Sequence, residues 1–217
     1  MRQLTARTSA DPLTGPVVTI LLHGYGSSEL DLAGLAPHAV PGLPWASLRA
    51  PLVLGRGSFA WFTISTPGNP EPGPVDAAVQ AIWRWVDATL DPGTRLVPVG
   101  FSQGGLMATE LLRTRPERVA GTVVLGGFVQ GAARPADDRL AESRPAVFWG
   151  RGSEDGVIAQ DAVDRTEAWL PGHSTLTRRV YPGLAHGISP EETSDVAAFV
   201  SSLVEPVRQA RTPAPRA

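Results

Sequence analysis

The sequence contains no cysteine and no lysine in 217 residues. The absence of cysteine excludes a disulfide framework, a Cys-ligated zinc site, an iron–sulfur cluster and a thiol nucleophile. The 19 basic residues, all arginine, and the 21 acidic residues give a net charge of −2, so no basic surface favours nucleic acid or an anionic membrane. Apolar runs fall well short of the roughly 20 residues of a membrane span, and the first 11 residues lack the apolar core of a signal peptide. We therefore expect a soluble, cytoplasmic protein.

The remaining composition is that of a globular protein, with 42% hydrophobic and 18% charged residues. This length predicts a single domain over residues 1–217, with residues 1–14 and 205–217 as frayed tails. The many glycines and prolines, 23 and 21, indicate tight turns. They are densest in residues 65–74, which we interpret as an irregular surface loop.

Short apolar runs alternate with helical patterns along the chain. The predicted strands are Val17–Leu22 and residues 46–50, 95–99, 119–125, 146–149 and 176–181. Helices are predicted around residues 75–90, 104–113, 163–170 and from Pro190, where Ser189 and Glu192 have the spacing of a capping box. Pro98 counts against a central position for its strand. This alternation predicts an α/β fold: a mostly parallel central sheet with helices on both faces, and ligands beyond the carboxyl ends of the strands.

A serine with glycines two residues to either side lies directly after the strand at 95–99. The segment Gly100-Phe101-Ser102-Gln103-Gly104 has the G-x-S-x-G pattern between a strand and a helix. In that context the sharp turn lifts the serine hydroxyl above the sheet, and the helix N-terminus favours a developing oxyanion. We predict Ser102 as a nucleophile; a glycine-rich packing turn is the alternative.

A serine nucleophile needs a base and an orienting carboxylate, in the chain order Ser, Asp or Glu, His. His186 lies between the last strand and the last helix, at the expected edge of the sheet, whereas His173 belongs to a turn at the opposite edge. The acid is expected after the strand at 146–149, where Glu154 and Asp155 are both candidates. Asp155 is preferred because Gly156 and the residue after it resemble a turn that returns the chain to the interior.

Two backbone N–H groups are expected to stabilise the oxyanion. Gln103, next after the nucleophile, supplies one, and the loop after the first strong strand places Tyr25 as the second. His23 lies in the same loop, but it precedes the nucleophile in the chain, so we interpret it as a residue that braces the loop.

These segments together resemble the small carboxylesterase/phospholipase branch of the α/β-hydrolases, which includes the acyl-protein thioesterases. The matching segments are LLHGYG (21–26) with DL (31–32), RAP (49–51), WF (61–62), GFSQGG (100–105), GSEDGV (152–157) and GLAHGI (183–188). The resemblance implies an esterase core without a large cap domain, no cofactor, the triad Ser102, Asp155 and His186, and oxyanion donors at Tyr25 and Gln103.

The sequence departs from the family after the Trp61-Phe62 pair. An aspartate commonly follows that pair in the family, whereas Thr63 stands here, followed by the Pro/Gly-rich loop. Trp61 and Phe62 are candidates for the acyl pocket, with two ordinary core aromatics as the alternative. An open site without a cap favours small or amphipathic esters.

The resulting hypothesis is a serine hydrolase of the carboxylesterase type that cleaves short to medium acyl esters, with thioesters as a further candidate substrate, as a monomer or homodimer. A small-molecule ester is the expected partner, with no nucleic acid, no metal and no cofactor. One alternative is a non-catalytic binder of the same fold. A dienelactone-hydrolase-like enzyme is a second, although its usual nucleophile is the cysteine that this chain lacks.

Overall fold

A computed structural model describes residues 3–209, and of residues 205–209 only the backbone. The strands are β1 (Ala6–Thr8), β2 (Val17–Leu22), β3 (Trp45–Leu48), β4 (Leu52–Gly55), β5 (Ser58–Ala60), β6 (Arg95–Phe101), β7 (Thr122–Leu125), β8 (Ala146–Gly152) and β9 (Thr175–Tyr181). The helices are α1 (Asp31–Ala39), α2 (Pro72–Thr89), α3 (Gln103–Thr114), α4 (Asp137–Ser143), α5 (Gln160–His173) and α6 (Pro190–Gln209), with a 3-10 turn at Pro116–Arg118.

Seven strands form one sheet in the order β1-β3-β2-β6-β7-β8-β9. Only the edge strand β1 is antiparallel to its neighbour, and the other neighbours pair in parallel. Strands β4 and β5 form a separate antiparallel hairpin. The prediction of a mostly parallel sheet is confirmed, and no large cap domain interrupts the described residues.

Both faces of the sheet are covered because its central strands are apolar on both sides. In β2, Val18, Ile20 and Leu22 pack into a cluster with α2, α3 and α5, while Val17 and Leu21 pack with α1 and α6 on the opposite face. All six residues of β2 are buried. The continuous apolar run therefore marks a strand that is enclosed by helices on both faces.

The predicted strand over residues 95–99 is central, contrary to the expectation from Pro98. It pairs with β2 on one side and with β7 on the other. The proline is tolerated because its position lies between an isolated bridge, Leu96 to Val119, and the start of the regular β6–β7 ladder at Val99. The missing N–H therefore falls where that ladder is interrupted.

The prediction of frayed tails is wrong for two segments. Ala6–Thr8 pairs with β3 as the edge strand β1, and α6 continues to Gln209. Residues 1–2 and 210–217 of the predicted tails lie outside the described residues.

Five elements have no counterpart in the sequence prediction: the strands β1, β4 and β5 and the helices α1 and α4. Helix α1 contains Gly34 and Pro37, residues of low helix propensity that hide its pattern. Strand β4 is the run Leu-Val-Leu-Gly, and all four of its residues are exposed. An apolar run this short does not by itself distinguish a strand from other structure.

The sheet brings three connections to one edge. The chain leaves β6 toward Ser102, β8 toward Asp155 and β9 toward His186, and β8 and β9 are neighbours in the sheet. The carboxyl ends of parallel strands lie at the same edge, so the fold places these side chains close together.

Candidate active site

Ser102 occupies a strained turn between β6 and α3. Its backbone has φ 55° and ψ −116°, a region that costs a non-glycine residue about 1–3 kcal/mol. The glycines beside it permit this turn: a Cβ on Gly100 would lie 2.0 Å from the carbonyl oxygen of Gly104, and one on Gly104 would lie 1.9 Å from that of Leu22. The Ser102 amide donates to the Leu125 carbonyl at 2.8 Å, which fixes the turn to β7.

Ser102, His186 and Asp155 form a continuous hydrogen-bonded chain. The Ser102 hydroxyl donates to Nε2 of His186 at 2.9 Å, and Nδ1–H of His186 donates to Oδ2 of Asp155 at 2.8 Å. The carboxylate selects this tautomer because it can only accept a hydrogen bond there. The side chain of Asp155 is 2% exposed and that of His186 is 16% exposed.

Asp155 is held in place by its own turn. Its Oδ1 accepts the amides of Val157 at 3.0 Å and Ile158 at 3.3 Å. The neighbouring Glu154 is exposed, and its amide donates to the Leu184 carbonyl at 3.0 Å, in the loop that carries His186. Of the two candidate acids, the structure brings Asp155 to the histidine.

His23 is fully buried and uses both ring nitrogens. Nδ1–H donates to the Gly24 carbonyl at 2.7 Å, and Nε2 accepts the Ala50 amide at 3.1 Å. Burial lowers the pKa of His23, so the ring is neutral, as these two hydrogen bonds require. It joins the loop after β2 to the chain after β3, in agreement with the interpretation of a bracing residue.

His173 is the last residue of α5, contrary to the sequence prediction of a turn at this position. Its ring stacks on Trp169 with centroids 4.0 Å apart, and Nδ1 donates to the Trp169 carbonyl at 2.7 Å. The helix extends through Pro171 and Gly172, although that pair in the sequence is typical of a helix end. These contacts place His173 outside the candidate site.

The two predicted oxyanion donors lie at the cavity that Ser102 opens into. Gln103 is the first residue of α3, where amides lack intrahelical partners. Tyr25 follows Gly24, whose Cβ, if present, would lie 3.4 Å from Cβ of Ser102. The loop is held by the Gly26 amide, which donates to the Phe59 carbonyl at 2.9 Å.

The side chain of Gln103 has a role that sequence reasoning missed. Its Oε1 accepts the Trp61 amide at 2.8 Å, and its Nε2 donates to the Phe62 carbonyl at 2.8 Å. The Trp61 indole in turn donates to the His23 carbonyl at 2.9 Å. Gln103 thereby ties the segment after β5 to the nucleophile turn. The only sequence signal for this role is the side-chain amide of the residue directly after the nucleophile.

The cavity at Ser102 has a volume of about 360 Å³, and no aspartate, glutamate or arginine is among its lining residues. Its lining residues are Tyr25, Phe62, Ile64, Thr66, Pro67, Gly68, Pro70, Ser102, Gln103, Phe128, Val157, Ile158 and His186. Phe62 is among these lining residues, and it is also part of the hydrophobic core, at 3% exposure. Trp61 is not among its lining residues: it is 1% exposed and packs in the core, because its indole turns toward the His23 carbonyl.

Residues 65–74, predicted to form an irregular surface loop, include residues that line the cavity and the start of a helix. Thr66, Pro67, Gly68 and Pro70 form one side of the cavity, and the end of the segment belongs to α2, which begins at Pro72. The Pro/Gly-rich sequence, which departs from the family pattern, therefore shapes the cavity.

Comparison with known proteins agrees with this architecture. A phospholipase/carboxylesterase family model matches residues 9–204. Acyl-protein thioesterase 1 of Cryptococcus neoformans is 25% identical, over 86% of this chain and 92% of its own length. Acyl-protein thioesterase 1 of Candida albicans is also 25% identical, over 92% and 97%. The crystal structure of a Bacillus cereus carboxylesterase has the same fold, with a TM-score of 0.76, 20% identity and coverage of 92% and 94% of the two chains.

Proposed function

The chain belongs to the phospholipase/carboxylesterase family of α/β-hydrolases and is an esterase-type hydrolase, and from this membership we propose that it cleaves carboxylic esters through Ser102, His186 and Asp155. The observation that carries the proposal is the hydrogen-bonded chain from Asp155 through His186 to the Ser102 hydroxyl, at the mouth of a cavity that no aspartate, glutamate or arginine lines. A nucleophile, its base and the group that orients the base are within reach of one another.

Acylation follows from this geometry. As Oγ of Ser102 attacks the acyl carbon, Nε2 of His186 accepts the hydroxyl proton, and Asp155 stabilises the imidazolium that forms. The amides of Gln103 and Tyr25 donate to the oxyanion of the tetrahedral intermediate, and each such donor contributes about 3 kcal/mol. The imidazolium then gives its proton to the leaving alcohol, and the acyl group stays on Ser102.

Deacylation repeats these steps with water. His186 accepts a proton from the water as it attacks the acyl-enzyme, the same amides hold the second oxyanion, and Ser102 leaves as the alcohol. The products are the carboxylic acid and the free enzyme, so atoms and protons balance without a cofactor.

The cavity favours a short to medium acyl chain. Its volume of about 360 Å³ lies at the small end of ligand pockets, and its apolar lining offers no cation to an anionic acyl group. At the mouth, Tyr25, Ile64 and Val157 are 48%, 51% and 64% exposed. This opening leaves room for a leaving group larger than the acyl chain.

Thioesters are a second candidate substrate. The relatives named acyl-protein thioesterase align over most of both chains, and the same nucleophilic mechanism cleaves either bond. Nothing in the cavity lining distinguishes an alcohol from a thiol leaving group. A comparison of matched oxygen esters and thioesters with one acyl chain would rank the two substrates.

Four further statements stay predictions from the sequence: a single domain over residues 1–217, a cytoplasmic location, a monomer or homodimer, and the absence of a nucleic-acid partner. Among the described helices, none is both long and apolar enough to cross a bilayer.

The test of the proposed function is hydrolysis of p-nitrophenyl esters from C2 to C16 by the wild type and by Ser102→Ala. We expect kcat to fall by roughly 10⁵–10⁶-fold in Ser102→Ala, because loss of a triad member removes the nucleophilic pathway. Ser143→Ala is a matched control, since its hydroxyl donates only to the Arg139 carbonyl on α4. Full turnover by Ser102→Ala would overturn the assignment, and ligand binding without turnover by the wild type would favour a non-catalytic binder.

A further inference from the structure

Arg165 lies behind the acyl cavity, on α5, and joins two segments that form the cavity lining. Its Nε donates to the Val129 carbonyl at 2.8 Å, and an Nη donates to the Gly68 carbonyl. The side chain is half-buried and is not among the residues that line the cavity. It can therefore affect a substrate only through the segments that it holds.

The first segment is the Pro/Gly-rich loop that carries Pro67, Gly68 and Pro70. Gly68 has φ +73°, and a Cβ on it would lie 2.8 Å from Cβ of Ala159 and 3.0 Å from that of Ala162. The loop thus lies directly against the start of α5, in a conformation that favours glycine.

The second segment follows β7 and carries Phe128, which lines the cavity. The amide of the next residue, Val129, donates to Oγ1 of Thr166 at 2.9 Å, so one helix binds both polar groups of the Val129 backbone. Nε2 of Gln130 donates to the Pro70 carbonyl at 3.2 Å. This contact is a second and longer connection between the two segments.

We propose that Arg165 is a specificity-determining positioning residue, which sets the width of the acyl cavity by holding the carbonyls of Gly68 and Val129 at a fixed separation. This inference rests on the proposed function, since it takes the cavity to hold the acyl chain. A guanidinium suits the role because its donors have a rigid planar arrangement. The residues that it joins are far apart in sequence, so no local turn fixes their distance.

A cavity of fixed width gains affinity with each methylene that it buries. The usual gain of about 0.8 kcal/mol per methylene corresponds to a roughly fourfold lower Kd. If the two segments separate, added methylenes no longer contact both sides, and the gain per methylene falls. The slope of log Kd against chain length therefore reports the width of the cavity. A general loss of protein stability would not change this slope.

The experiment measures Kd by calorimetry for p-nitrophenyl esters from C4 to C10 in the Ser102→Ala protein. With Arg165 present, we expect Kd to fall about fourfold per methylene until the cavity is filled. Adding Arg165→Met is expected to reduce this factor to below twofold. Arg165→Lys, whose single donor nitrogen can bind one carbonyl in place of two, is expected to give an intermediate value. Arg95→Met is the matched control: Arg95 also donates to a backbone carbonyl, that of Val119, but at the opposite end of β6 from Ser102.

Equal chain-length dependence with and without Arg165→Met would overturn the proposal, as would an equal loss in Arg95→Met. If Arg165→Met does not fold, as judged by circular dichroism, the decision passes to Arg165→Lys, whose factor must fall below that of the parent. Failure of the proposed function is seen separately. Release of p-nitrophenolate by the Ser102→Ala parent at the wild-type rate would overturn Ser102 as the nucleophile, whatever the values of Kd.

Discussion

The two halves of the candidate site differ in how their buried polar groups are satisfied. The nucleophile half, formed by the turns after β2 and β6, pairs each of the polar side chains that support it. His23 uses both ring nitrogens, Gln103 uses both ends of its amide, and the Trp61 indole donates to a carbonyl. Such pairing offsets the desolvation of these groups and fixes the geometry.

The acid–base half is formed by the loops after β8 and β9 and by the start of α6. It contains one buried side chain whose polar atoms are not hydrogen-bonded. Asp155 and His186 satisfy each other, but Glu192, six residues after His186, is fully buried. Within residues 3–204, neither of its carboxylate oxygens has a hydrogen-bond partner. Its amide does donate to Oγ of Ser189 at 3.0 Å, so only half of the predicted capping box forms.

Because of this difference in hydrogen bonding, the two halves contribute differently to the pH dependence of the protein's stability. The neutral hydrogen bonds of the nucleophile half keep their strength across neutral pH. In the acid–base half, burial raises the pKa of Glu192 to about 7, Asp195 adds to the increase, and the nearby Ser189 amide opposes it. The charge on a buried carboxyl group that lies against Gly150 of β8 thus changes near neutrality.

Among substitutions that leave Ser102 in place, the largest expected effect is that of Asp155→Asn. An amide in this place favours the wrong histidine tautomer and leaves the imidazolium without a counter-charge, so kcat should fall by about 10³–10⁴-fold. Steady-state hydrolysis of a p-nitrophenyl ester measures it. Glu154→Gln is the control, because Glu154 is exposed, and we expect its kcat to stay within twofold of the wild type. The opposite ranking would transfer the role of the acid to Glu154.

The second prediction concerns Gly104→Ala, which should disrupt the nucleophile half through steric clash alone. A Cβ on Gly104 would lie 1.9 Å from the Leu22 carbonyl oxygen and 2.7 Å from that of His23, so Gly104→Ala must displace β2 or α3. We expect a loss of more than about 4 kcal/mol in the free energy of unfolding, which is the range of severe backbone and packing defects.

Gly34→Ala is the control for this substitution. Gly34 lies in α1, and a Cβ on it would meet no atom within 4 Å, so alanine should stabilise the helix by about 0.5–1 kcal/mol. Urea denaturation of both variants measures the contrast. A Gly104→Ala protein as stable as the wild type would show that the turn after β6 can relax.

The residues of the candidate triad could be predicted because each follows a strand that the sequence indicates. The strands at 95–99 and 146–149 are mostly apolar, and the one at 176–181 alternates with a helical pattern although it contains Arg178 and Arg179. The chemistry-bearing residue comes soon after each strand, so the parallel topology brings the three residues together. Even the choice between Glu154 and Asp155 had a local signal in the turn that follows.

The cavity could not be predicted in the same way, because its sides come from segments that have no common pattern. The loop at 65–74 gave only a turn signal, and its contacts with α5 include a hydrogen bond to Arg165, about a hundred residues later. Trp61 and Phe62 are adjacent and chemically alike, yet only Phe62 faces the cavity. Their orientations depend on hydrogen bonds to Gln103 and His23, which no periodicity reveals.

The smallest effect concerns Glu192 and has a definite sign. The ordinary pKa of a glutamate is 4.5, and that of Glu192 in the folded protein is about 7. The unfolded chain therefore loses this proton first as pH rises, and the folded state loses stability between pH 4.5 and 7. The full difference corresponds to about 3 kcal/mol, present as stability below pH 4.5 and lost above pH 7.

Glu192→Gln removes the titration and should remove this decline. Because an amide and a protonated acid differ in their hydrogen bonds, the expected result is a change of slope: relative to the wild type, the variant gains about 3 kcal/mol in the free energy of unfolding between pH 4.5 and 8. Urea denaturation across this range measures it, with the exposed neighbour substitution Glu191→Gln as the control that keeps the wild-type slope. Parallel curves for Glu192→Gln and the wild type would mean that the carboxylate finds a partner when charged, and the two halves of the site would then be equally well satisfied.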